Sequence, residues 1–105
     1  MKIDVRSQDG GRMVLALKGD LDRDGARKLT RFLLGRDRTA VTSLELDLGT
    51  VNFLGLSAIA ALHELCSSLA KQGGTMALVN VSKQVESALS RIGKTPCWTL
   101  QNPDH

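Results

Sequence analysis

The chain has 105 residues, 42% of them hydrophobic, and a net charge of +3; this is enough for one domain, spanning residues 1–105, with its own core, and no apolar run is long enough to span a membrane. Aromatic residues make up 3%, too few to supply the base-stacking platforms of a nucleic-acid binder. The opening Met1-Lys2-Ile3-Asp4-Val5 has neither the apolar region nor the cleavage site of a signal peptide, so a cytoplasmic location is expected. Cys66 and Cys97 form no C-x-x-C pair, and reduced thiols are expected.

Ile3 and Val5 share one face of a strand over Lys2 to Arg6, Gln8-Asp9-Gly10-Gly11 reads as a turn, and Met13 to Leu17 is a second apolar run. This is a hairpin. A helix follows from about Asp24 to Leu34, capped by Asp22 or Asp24 and ended by Gly35, with Ala26, Leu29 and Leu33 facing inward. Its outward groups, Arg23, Arg27, Lys28 and Arg31, continue into Arg36 and Arg38. Such a stretch reads as a solvated helix face in preference to a site for nucleic acid or acidic lipid, and it also fits a docking surface for an acidic partner.

In Ser43 to Leu48, Leu44, Leu46 and Leu48 alternate with Glu45 and Asp47, whereas after Phe53 the apolar residues fall at Ile59, Leu62, Leu65, Cys66 and Leu69. The period changes from two to that of a helix, so a strand feeds, through a short loop, a helix from about Leu56 to Lys71, which Gly73-Gly74 stops. Thr75 to Val81 reads as the fourth strand. Ser82 caps a third helix that aligns Val85, Leu89 and Ile92 and ends at Gly93 before Pro96, and a short strand can follow through Cys97, Trp98 and Thr99. The order ββαβαβα predicts an α/β fold, a mixed four- to five-stranded sheet with helices packed against it.

No residue set supports catalysis. Asp20, Asp22 and Asp24 imitate the first half of a calcium loop, but its twelfth position is Arg31 and a strand, not a helix, precedes it. His63 and Cys66 lack further metal ligands, and Ser57 and His63 project to different sides of one helix. No enzyme activity, metal or cofactor is therefore expected. On the second helix Ser57, Ala61, Glu64, Ser68 and Lys71 lie opposite the apolar stripe, bordered by Ala60 and Ser67, and small side chains there would let another protein approach closely.

The run Leu46-Asp47-Leu48-Gly49-Thr50-Val51-Asn52-Phe53-Leu54-Gly55-Leu56-Ser57, with Gly19-Asp20-Leu21-Asp22 upstream and the Gly73-Gly74 turn and strand downstream, resembles the STAS domain of bacterial anti-sigma factor antagonists from about Ile3 to about Trp98. Laid without gaps, the family pattern puts its acid at Gly55, its phosphorylated Ser at Leu56, its second Ser/Thr at Ser57 and its Gly at Ala58. The usual acceptor is missing, and Ser57 is the one hydroxyl left to take a phosphate. The resemblance implies a monomer or weak dimer that binds a kinase-like ATPase anti-sigma factor and so frees a sigma factor. The surface it implies includes Asp22, Gly55, Leu56, Ser57, Ala60, Ala61 and Glu64. The other role it implies is a STAS subunit of a membrane lipid-transport ABC complex.

Overall fold

The computed structural model describes residues 1–34, 41–90 and 98–101; the stop signals at Gly35 and Gly93, the cations Arg36 and Arg38, and Ile92, Pro96 and Cys97 lie outside them. Strand β1 (Lys2–Asp9) turns back at Gly10 and Gly11 into β2 (Arg12–Leu21). Both glycines have positive φ, 57° and 86°, as a two-residue turn matched to strand twist requires. Helix α1 (Arg23–Leu34) leads to β3 (Ser43–Leu54), α2 (Leu56–Lys71) to β4 (Thr75–Val79), and α3 (Lys83–Ser90) to β5 (Thr99–Gln101). The strands lie in the order β1-β2-β3-β4-β5. Among the described residues β1 pairs with β2 antiparallel and the other neighbouring strands pair parallel.

Every β–α–β step moves the same way across the sheet, and right-handed crossovers then put all three helices on one face. That face is the core. Met13, Leu44 and Met76 are register partners in adjacent strands, as are Leu15, Leu46 and Leu78, and all six are buried beneath Leu29, Ile59, Leu62 and Val85. Helix ends follow the local chemistry. The Asp22 carboxylate accepts the Gly25 N–H at 2.9 Å and caps α1. The Ser82 hydroxyl accepts the Val85 N–H at 3.2 Å and caps α3. At the end of α2, Gly73 (φ 80°) reverses the chain while the Gly74 N–H donates to Leu69.

The opposite sheet face carries charge in pairs, Lys18–Asp4, Arg12–Glu45 and Arg6–Asp47. Arg6 is the extra residue of a bulge in β1 and reaches over the small Ala16 to Asp47, which is only 6% exposed. Burial would raise the Asp47 pKa, but hydrogen bonds from the Gly49 N–H and Asn80, with the Arg6 charge, outweigh it and hold the carboxyl below its ordinary 3.8. A depressed carboxyl stabilises the fold above its unfolded pKa, and this contribution is lost as pH falls through the folded value. Asp47→Asn should therefore cost about 1–3 kcal/mol at pH 7, chiefly through the bonds to backbone and Asn80, because the half-exposed Arg6 is screened by solvent. Urea melts of both proteins should converge as pH drops below about 4; a gap that persists unchanged would rule out the carboxylate charge as its source.

The expected loop from Gly49 to Gly55 is not a loop. Strand β3 continues to Leu54, and its register against β2 slips twice, between Asp47 and Thr50 and between Val51 and Phe53. Each slip adds one residue to β3. Buried positions therefore step from Leu48 to Val51 to Leu54, a spacing of three that hides a strand from any search for alternation.

Candidate protein-docking site

The bulged end of β3 lies beside the end of β2, with Leu21 and Leu54 in register. The Gly55 N–H donates to the Leu21 carbonyl at 3.0 Å, so α1 and α2 begin side by side. A Cβ on Gly55 would lie 3.7 Å from the Asp22 Cα and 3.4 Å from the Phe53 ring. Those are ordinary contacts, and the Gly55 backbone (φ −86°, ψ 162°) is extended. Nothing here demands glycine. As the N-cap of α2, Gly55 offers no side chain to the first-turn N–H groups, and that turn contains no acid. No side chain of that turn compensates the anion-favouring end of the helix dipole.

Leu56, the first residue of α2, is 70% exposed, and Phe53, three residues earlier, is 53% exposed. Together they form an apolar prominence at the C-terminal ends of the parallel strands. Ser57, Ala60 and Glu64 are exposed along the adjoining face of α2, and Asp22 is exposed although its carboxylate is occupied in capping α1. Ala61 departs from the expected exposed face. It is half-buried and packs against the core, because α1 lies alongside α2 at that turn; Ser68 is half-buried as well. Phe53 was not legible as a surface residue, since only the second β3 bulge turns it outward.

His63 is half-buried with its ring centroid 4.5 Å from that of Trp98, tilted by 46°. Cys66 is buried and disulfide-bonded, which corrects the expected reduced thiol; its partner lies outside the described residues. Spacing along a chain carries no distance in a folded sheet, so the absence of C-x-x-C could not foretell it. Among the described residues no three His, Cys, Asp or Glu side chains converge as metal ligands, and no helix is long and apolar enough to cross a membrane.

The profile of the family described as "Mlab, STAS domain" matches residues 5–95, and the chain belongs to that family. No curated protein matches it significantly. The fold is similar to that of the phosphorylated Bacillus cell fate determinant SpoIIAA (17% identity, 99% of this chain and 93% of that one, TM-score 0.71), an anti-sigma factor antagonist. It is also similar to RsbS from Moorella thermoacetica (16% identity, 97% and 87%, TM-score 0.71). A third match is the murine anion transporter Slc26a9 (28% identity, TM-score 0.64), of which the region matched by 80% of this chain makes up 14%.

Proposed function

We propose that the protein is a non-enzymatic binding module of the anti-sigma factor antagonist type, which engages a kinase-like ATPase anti-sigma factor in a bacterial cytoplasm without the usual serine switch. The observation that carries this reading is Leu56, an exposed leucine at the head of α2, on the SpoIIAA-like fold. A side chain that cannot accept phosphate keeps the prominence apolar and ready to be desolvated by a partner. Phosphorylation of a docking surface adds about two negative charges and opposes such burial. A chain with leucine at this position is constitutively competent to bind. In a reducing cytoplasm the Cys66 disulfide would be transient.

Capture from a lysate of the source cells with the purified domain as bait tests the partner, and a soluble kinase-like ATPase is the expected catch. With that ATPase and ATP, intact-mass measurement should show no phosphate on the wild type, whereas the double variant Gly55→Asp, Leu56→Ser should gain one. Steric room for the aspartate exists, since a Cβ at Gly55 makes only ordinary contacts. A phosphate on wild-type Ser57 would refute the absence of a switch. The second reading, a STAS subunit of a membrane lipid-transport ABC complex, draws support from the likeness to part of a membrane transporter, and capture of a membrane-bound ATPase would select it.

A further inference from the structure

Behind the apolar prominence, α1 and α2 enclose an open groove of about 430 Å³. Its floor is small and apolar, formed by Ala26 and Ala61, and the α2 side adds the Ser57 hydroxyl. The α1 side presents Arg23, Arg27 and Arg31, one residue in every four, which places three guanidinium groups in a row about 12 Å long. Lys28, between them in sequence, turns away and donates to the Met1 carbonyl at 2.6 Å. Among the described residues none of the three arginines forms a salt bridge, and no acidic side chain lines the groove.

Three unpaired like charges along one groove repel one another and favour an occupant that supplies carboxylates at the same interval. A single phosphate, only a few ångströms across, would meet part of the row. An acidic helix repeats its side chains every four residues with the same rise as α1, and the shallow floor of Ala26 and Ala61 lets its backbone approach. We propose that the α1/α2 groove receives an acidic helical segment of a protein partner, with Arg23, Arg27 and Arg31 pairing with carboxylates spaced four residues apart. This rests on the reading of the domain as a protein-binding module but not on the identity of the ATPase.

The test is an amide NMR titration of the full chain with a synthetic alanine-rich helical peptide bearing glutamates at every fourth position. Saturable shifts confined to Arg23–Arg31 and Ser57–Ala61 are expected, with Kd below about 1 mM at low salt. Arg27→Glu should weaken the peptide about tenfold and Arg27→Ala by less, each with a dispersed spectrum confirming the fold, while Lys83→Glu, the same charge change on α3, should leave it within about twofold. A peptide of equal composition with its glutamates spread around the helix should bind more weakly. Several results overturn the proposal: no saturation at about 1 mM, equal binding of the spread peptide, equal loss in Lys83→Glu, or groove shifts produced by phosphatidylglycerol vesicles or duplex DNA while the peptide is silent. Because the readout localises to the groove and needs no ATPase, its failure is distinguishable from failure at Leu56.

Discussion

Leu46→Asp should abolish cooperative folding. Leu46 is fully buried at the centre of the sheet, between its register partners Leu15 and Leu78, with the helix layer above it. Removing a buried leucine costs about 2–5 kcal/mol, and an unpaired carboxylate in the same place costs several kcal/mol more or must be protonated. Among the described residues the nearest paired charges, Arg12–Glu45 and Arg6–Asp47, sit on the other sheet face and cannot reach it. The sum rivals the whole stability of a domain of this size, about 5–15 kcal/mol. Circular dichroism on heating should show no cooperative transition, while Leu46→Ala should melt cooperatively at a lower temperature. An aspartate variant that melts like the wild type would mean that β3 does not occupy the middle of the sheet.

The same strand shows where sequence reading succeeds and where it stops. Leu44, Leu46 and Leu48 face one side and Glu45 and Asp47 the other, so alternation identified the first half of β3 and its core face. Beyond Leu48 two extra residues enter through bulges, and the pattern of three that results belongs to neither template. Bulges are set by what surrounds them. The first is held by the Asp47 carboxylate accepting the Gly49 N–H at 2.8 Å, with Arg6 from β1 against the same carboxylate, a contact between residues 41 apart that no local pattern records. Helix α2 was legible almost to the residue, because its stripe Ile59, Leu62, Cys66 and Leu69 and its Gly73-Gly74 stop are both local signals. Of the candidate site, Ser57, Ala60 and Glu64 were read correctly as exposed, while for Leu56 the sequence left an inward and an exposed placement equally open and the fold exposes it. Ala61 was misread, since its partner helix is distant in sequence, and the pairing of three arginines with small residues of α2 across one groove is likewise a tertiary fact.

Leu56→Glu should separate binding from stability. The side chain is 70% exposed, so its removal sacrifices little packing, and surface changes of this kind usually alter stability by less than about 0.5 kcal/mol. The position is also the first of α2, whose own first turn carries neither a side-chain cap nor an acid to offset the helix dipole. A glutamate there adds about 0.3–1 kcal/mol of favourable charge–dipole interaction. The melting temperature should therefore hold or rise slightly. Binding should move the other way. A partner seated on Phe53 and Leu56 must strip water from whatever stands at residue 56, and a desolvated, unpaired carboxylate at a central position costs on the order of 2–4 kcal/mol, a loss of about thirtyfold to a thousandfold in affinity. Calorimetry against the captured ATPase measures it, and Ser57→Ala, at an exposed neighbouring position, should leave stability unchanged. Unchanged affinity in Leu56→Glu would take the head of α2 out of the interface, and a lowered melting temperature with lost binding would show that Leu56 supports the fold instead of the contact.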